Sequence, residues 1–248
     1  MLSLASRIIH EEPDFLVLDK PAHLLSHPTK PDGPRTLWSE LCQLLAFEIS
    51  NGGQVSLINR LDRETSGLVL VAKNAGSART LGRLVDHHRI EKFYAAITYG
   101  WPDVDRFEVD QPLLRQGEKL PSKIWLKQNV HPDGYPARTK FEVVQRFEDC
   151  RGRFALISCQ PITGRTHQIR VHLASVGFPL VGDKIYGPDE NCYLEFIETG
   201  WTAKLQAKLF LDRHALHATK LVFPFHGAGR VYESPLPNDL KNFIAGNE

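Results

Sequence analysis

Five consecutive residues, Arg60 to Glu64, carry two guanidinium groups and two carboxylates. Directly after them, Leu68 to Ala72 is short, branched and bounded by Gly67 and Asn74, the pattern of a buried strand. A charged cluster leading straight into a core strand differs from an ordinary solvated loop. A carboxylate on a rigid base can serve as nucleophile or as acid and base, and Asp62 is the candidate. Asp62 and Glu64 also make a carboxylate pair two residues apart, which glycosidic-bond cleavage could use.

A second chemically dense stretch runs from Pro161 to Gly177. Thr163 or Thr166 can cap a helix there, and Gly177 can end it. Ile169, Leu173 and Val176 form its apolar stripe. Arg165, His167 and Arg170 fall in or just before the first turns, where cations oppose the helix dipole. Such a placement suits an anion, either a carboxylate or a phosphate, or is a chance feature of the surface.

The elements that must position these groups follow from pattern. Asp14 to Pro21 is an apolar strand ended by proline. A loop with His23 and His27 comes next, and its histidines read as surface. Thr36 can cap a helix to about Ile49, with Leu37, Leu41, Leu44 and Leu45 on one side and Asn51-Gly52-Gly53 as the stop. Asn74 can cap a second helix to about His88, burying Ala78, Leu81, Leu84 and Val85. Arg79, Arg83 and Arg89 lie mainly on its exposed faces, as a basic surface or a solvated one.

Lys92 to Tyr99 alternates as a strand, with Phe93, Ala95, Ile97 and Tyr99 on the more apolar face. Tyr94 points the other way, and a structural tyrosine with a hydrogen-bonded hydroxyl is the plain reading. Arg106–Gln111, Lys123–Gln128, Arg138–Phe147 and Arg153–Gln160 are strand-like, with a turn at residues 131–134. Short connections favour antiparallel pairing. A glycine-rich connection follows at residues 179–188. Trp201–Asp212 is a weak helix, His214–Phe223 and Arg230–Glu233 are strands, and Pro237 opens a terminal helix. With no repeat or linker, one domain over residues 1–248 is the simplest expectation.

The totals set wide bounds. The chain has 248 residues, 42% of them hydrophobic, and a net charge of +1, so a basic surface has to come from local clustering. The four cysteines form no C-x-x-C pair, which suits reduced thiols. No apolar run approaches the roughly 20 residues of a membrane span, and residues 1–9 do not read as a signal peptide. A cytoplasmic protein without membrane association is expected. Phosphate-binding glycine loops, zinc-ligand spacings and a serine nucleophile elbow are all missing from the sequence. What remains suits nucleophilic or acid–base work without a cofactor.

Taken together, these stretches resemble the RluA family of RNA pseudouridine synthases over nearly the whole chain. Leu18-Asp19-Lys20-Pro21 resembles the first motif of that family. Residues 60–68, Arg-Leu-Asp-Arg-Glu-Thr-Ser-Gly-Leu, resemble its catalytic motif. Lys92 to Gly100 resembles its tyrosine motif, and residues 163–174, with Gly182-Asp183 and Tyr186-Gly187, resemble its third. Leu216-His217-Ala218 with Phe223-Pro224 resembles a late segment. Asn59 stands where many members have histidine, which touches only local hydrogen bonding.

The resemblance implies an α+β fold with a central, mixed but mainly antiparallel sheet flanked by helices and loops. It implies an isomerase that converts uridine to pseudouridine in ribosomal or transfer RNA, acting as a monomer with no cofactor and no metal. Asp62 would be the essential carboxylate, Arg165 its ionic partner, and Tyr94 a base at C5 or a packing group. Ile169 would wall the pocket. Arg60 would fill the gap left by a uridine swung out of the stack, and His167 and Arg170 would contact RNA. The first motif starts near Asp14, which leaves no room for the N-terminal S4 domain of many members. A glycosylase that releases uracil and a non-catalytic RNA-binding module are the alternatives.

Overall fold

A computed structural model describes residues 4–30 and 33–246. The chain divides into two compact units, one made of residues 1–92 and 218–235, the other of residues 93–217 and 236–248.

The first unit starts with a 3-10 turn, Leu4–Arg7, and the strands β1 (Ile8–Glu11) and β2 (Phe15–Lys20). Helices α1 (Leu37–Leu44) and α2 (Ala46–Ser50), strands β3 (Ser56–Leu57) and β4 (Ser66–Ala72), and helix α3 (Ala75–Asp86) follow. β2 lies between β1 and β4, β3 also pairs with β4, and each pairing is antiparallel. β4 is buried at every residue, as its unbroken apolar run requires.

Both expected helix caps are present. Thr36 accepts from the Ser39 N–H, and Ser39 returns the bond to the Thr36 N–H. Asn74 accepts from the Ser77 N–H. The helix expected to reach Ile49 is broken at Leu45, whose backbone leaves helical geometry (φ −100°, ψ 27°). Leu37, Leu41 and Leu45 are buried, but Leu44 is exposed. In α3, Leu81 is buried whereas Val85 is exposed, so the apolar stripe is narrower than expected. Arg79, Arg83 and Arg89 are exposed as anticipated.

The second unit contains β5 (Glu91–Tyr99), which starts just before it, then β6 (Arg106–Asp110), β7 (Leu113–Arg115), β8 (Gln128–Val130), β9 (Arg138–Asp149) and β10 (Gly152–Pro161). Helices α4 (Gln168–Ser175), α5 (Asn191–Thr199) and α6 (Ala203–Leu209) come next. β11 (Leu216–Phe225) belongs from Ala218 onward to the first unit, as does β12 (Ala228–Glu233). Helix α7 (Asn238–Ala245) closes the second unit. β10 pairs antiparallel with β5 and β9, and β9 pairs with β6. β7 and β8 form a separate two-stranded ribbon.

Three expectations need correction here. The strand sought at Lys123–Gln128 lies later, at Gln128–Val130, because its pairing with Leu113–Arg115 sets its place. β7 and α5 had no counterpart in the sequence reading, and the Trp201 helix is confined to α6. In β5 both faces are covered: Tyr94, Ala96 and Thr98 are buried on one and Ile97 on the other, while Phe93 and Ala95 are half-exposed.

The core of the second unit packs Ile97, Phe154, Val181, Ala215, Leu240 and Phe243. Phe154 meets Phe243 edge-on at 5.1 Å between ring centroids. In the first unit, Phe15 meets Phe225 edge-on at 5.1 Å and Phe223 at 5.6 Å.

Gly67 opens β4 with φ +109°, and a Cβ there would sit 2.3 Å from the Ala218 carbonyl oxygen. Only glycine allows both the dihedral and the approach. Gly67→Ala is therefore expected to destabilise the protein by about 3–5 kcal/mol, read by urea denaturation.

Candidate active site

Asp62 lies in the loop before β4, not on the strand itself, and opens a turn closed by the Thr65 N–H donating to its carbonyl (3.2 Å). Several groups fix that loop. The Asn59 side chain clamps β4 twice, accepting from the Leu70 N–H (2.8 Å) and donating to the Leu68 carbonyl (3.1 Å). Asn59 thus does local hydrogen bonding. Ser26 Oγ donates to the Leu61 carbonyl at 2.6 Å and accepts from the Leu61 N–H at 3.3 Å.

The strongest tie is Lys20, which is fully buried. Its ammonium donates to the carbonyls of Pro21 (2.9 Å), Leu24 (2.9 Å) and Arg63 (3.3 Å). Three oxygen acceptors compensate for much of the lost hydration. The loop that carries His23 and His27 is thereby joined to the backbone one residue from Asp62. Arg63 Nε donates in turn to the His23 carbonyl (3.4 Å), and His23 itself adopts a left-handed backbone (φ 65°). Asp62 is half-buried and Arg60 exposed.

In the second unit, Arg165, His167, Ile169 and Arg170 are brought together at the start of α4, while Tyr94 sits on β5 opposite Cys159. Tyr94 is 8% exposed. Neither threonine caps α4. His167 takes the capping position in a left-handed conformation (φ 56°) and makes no side-chain cap. Thr163 is otherwise engaged, accepting from the Arg138 N–H (3.0 Å) and donating to Gln168 Oε1 (2.7 Å).

Gln168, which the sequence reading did not single out, organises this turn. Its Oε1 also accepts from the Arg165 N–H (3.0 Å), and its Nε2 donates to the Arg138 carbonyl and to Thr139 Oγ1, both at 2.9 Å. The network continues through Thr139 Oγ1 to His172 Nδ1 (2.9 Å) and from His172 Nε2 to the Gln111 carbonyl (3.0 Å). Burial pushes the His172 pKa down, so the ring is neutral, donating from Nε2 and accepting at Nδ1. A buried glutamine in a first helical turn was the available signal.

Arg165 is exposed; its Nε donates to the Pro136 carbonyl (3.1 Å), and its guanidinium carbon lies 5.5 Å from the Tyr135 ring centroid. His167 Nδ1 shares a 2.8 Å hydrogen bond with the Tyr186 hydroxyl, which also accepts from the Gln128 N–H (2.8 Å). Ile169 is buried.

Arg170 departs from expectation. The resemblance implies contact with RNA, yet its side chain is 5% exposed and forked onto Asp183, with Nε donating at 2.7 Å and Nη2 at 2.9 Å. The anion that a basic helix start called for is, for this arginine, a carboxylate of the protein. Asp183 Oδ1 also accepts from the N–H groups of Ile185 (2.9 Å) and Tyr186 (3.0 Å). Burial alone would raise the Asp183 pKa, but the Arg170 charge and these bonds outweigh it and hold the group well below the usual carboxylate range.

Comparison with known proteins gives this geometry a family. The family described as RNA pseudouridylate synthase matches residues 14–175, which run from just before β2 to the end of α4. The chain belongs to the RNA pseudouridylate synthase family. It is 35% identical over 239 residues to ribosomal large subunit pseudouridine synthase D of Nitrosomonas europaea, covering 94% of this chain and 63% of that protein. It is 34% identical over 242 residues to the uncharacterized RNA pseudouridine synthase YlyB of Bacillus subtilis, covering 96% and 71%. The fold is similar to that of human RNA pseudouridylate synthase domain containing 4, with a TM-score of 0.74 and 23% identity, over 98% of this chain and 93% of that one. The α+β fold expected from the motifs is the fold of this family. The matched segment contains Asp62, Tyr94 and Arg165.

Two substitutions test this framework. Lys20→Met removes a buried ammonium from three carbonyls and is expected to cost about 2–4 kcal/mol in urea, with faster amide exchange across residues 60–66. Asp183→Asn strands the Arg170 charge and is expected to cost about 3–5 kcal/mol at pH 7. Because the folded pKa of Asp183 lies below its unfolded value, its stabilisation is present above about pH 4 and fades as pH falls toward the folded value. The gap between wild type and variant should therefore narrow between pH 4 and pH 2.

Proposed function

We propose that this protein is an RNA pseudouridine synthase, an isomerase that detaches uracil from its ribose, turns it and rejoins it through C5. The observation that carries the reading is the loop of Asp62. Its backbone is tied by Lys20 at Arg63 and by Ser26 at Leu61, with Asn59 clamped to Leu68, within the segment that matches the family. Asp62 attacks the sugar of the target uridine or removes a sugar proton. Arg165, exposed and fixed through Gln168 and Pro136, is the candidate guanidinium of the second unit. Tyr94 works at C5 or packs the base, and Ile169 lines the pocket. Arg60 stacks in the vacated place in the RNA, as a planar exposed guanidinium can. His167 contacts RNA beside it. Arg170 has the different task of holding α4 to Asp183.

The chain spans 63% of the length of the Nitrosomonas europaea relative, whose name points to the large ribosomal subunit. RNA of that subunit is the substrate we infer, with transfer RNA the other class. The chemistry needs neither metal nor cofactor. Among the described residues no helix is long and apolar enough to cross a membrane. The reading takes the protein to work as a monomer on RNA in the cytoplasm.

Mapping pseudouridine in RNA from a strain without this gene is the direct test. One or more sites should be lost, restored by the wild-type gene and not by Asp62→Asn, with no free uracil released by the pure enzyme. Loss of Asp62 should lower turnover by at least about a thousandfold, as removal of a central catalytic group does. Sites restored equally by Asp62→Asn would refute the assignment.

A further inference from the structure

Segment 112–136 of the second unit holds an exposed aromatic surface that the reaction above does not use. Trp125 is 75% exposed, whereas the other three tryptophans are half-buried. Trp38 and Trp201 each donate a hydrogen bond within the protein, to the Val55 carbonyl and to Gln206 Oε1. Among the described residues the Trp125 indole N–H has no such acceptor. The Arg115 guanidinium carbon lies over its ring, 3.6 Å from the centroid. Leu120 and Leu126 are exposed nearby in sequence.

A second stack of the same kind lies in the same segment. Tyr135 is 67% exposed, and the Arg165 guanidinium lies 5.5 Å from its centroid. The two are tied into one frame. Arg115 ends β7, and Leu113 of that strand bridges to Tyr135 through mutual backbone hydrogen bonds of 3.0 and 2.8 Å. Beneath them Leu113, Ile124 and Ala137 pack on Val171 of α4, so the frame is anchored to the helix that carries Ile169.

We propose that segment 112–136 is a platform for unpaired bases of the substrate RNA, with Trp125 on Arg115 and Tyr135 beside Arg165 as its two stacking surfaces. The proposal rests on the RNA-modifying reading above. Every nucleobase has a π face, and an indole already backed by a guanidinium meets it preorganised. Charge favours RNA over a protein partner. Arg115, Lys119, Lys123 and Lys127 stand against three carboxylates, Arg115 pairing with Glu118, Lys119 with Asp133 and Lys127 with Glu190, which leaves the surface one positive charge in excess. The centres of protein–protein interfaces are depleted in lysine, whereas a lysine-edged aromatic surface suits a phosphate backbone with bases splayed from it.

The test measures binding of the full chain to a short single-stranded oligouridylate and to an RNA duplex of equal length. Trp125→Ala and Tyr135→Ala should each weaken oligouridylate binding roughly tenfold and leave duplex binding within about twofold. Trp125→Phe should recover most of the loss, and thermal midpoints should stay at the wild-type value because both rings are exposed. Unchanged oligouridylate affinity in both alanine variants overturns the proposal. So does an equal loss on the duplex, which would point to charge alone, and so does a Trp125→Ala change in sedimentation from dimer to monomer, which would make the patch a contact between copies. Pseudouridine formation separates the two claims. If wild type makes none in any RNA, the functional reading fails; if wild type and both alanine variants modify RNA at the same rate, that reading stands and the platform does not.

Discussion

A lysine ammonium taken wholly out of water is the constraint on which the first unit is built. Burying that charge is tolerable only when its hydrogens find acceptors, and backbone carbonyls of two separate loops supply them around Lys20. The loop after β2 and the loop before β4 are therefore one device. The strands that carry them are locked in register, with Lys20 opposite Gly67. Gly67 lacks the Cβ that would strike the Ala218 backbone. Asp62 thus stands on a loop with the rigidity of the sheet, although it is on no strand.

The second unit uses a different solution to the same problem. Arg170 and Asp183 are both buried, and a fork of two hydrogen bonds with two backbone donors on the carboxylate satisfies the pair. The buried Arg213 forks onto an exposed carboxylate, Asp239, through bonds of 2.6 and 3.1 Å that join the approach to β11 with α7. The cations therefore fall into two kinds. Lys20, Arg170 and Arg213 are interior and hold the frame, whereas Arg60, Arg79, Arg83, Arg89 and Arg165 are exposed. A net charge of +1 conceals this division, because it sums groups that never share an environment.

Much of the frame could be read from local pattern. β2, β4, α3 and α7 stand within a residue or two of their expected bounds, since each has a strong apolar period and a clear start or stop: Pro21, Gly67, Asn74 and Pro237. Thr36 and Asn74 cap as expected because capping is settled by residues three apart. The failures share a cause. β7 is three residues long and exists through its pairing with β8, and Val85 completes the helical stripe but is exposed. Thr163 is a good cap by type, yet its hydroxyl is held by Arg138 and Gln168, and a left-handed His167 begins α4 instead.

By itself the chain determined the order of its main elements, the charged turn that presents Asp62, and a run of motifs specific enough to mark its family. Those are local properties, set by neighbours within a few residues. Only the tertiary structure decided which cations are interior. Arg170 and Arg165 are five residues apart and alike in sequence, yet one is buried against Asp183 and the other exposed beside Tyr135. The fate of a charge depends on its desolvation and on acceptors brought from distant parts of the chain, as Gln111 and Thr139 are brought to His172. Neither quantity exists until the chain has folded.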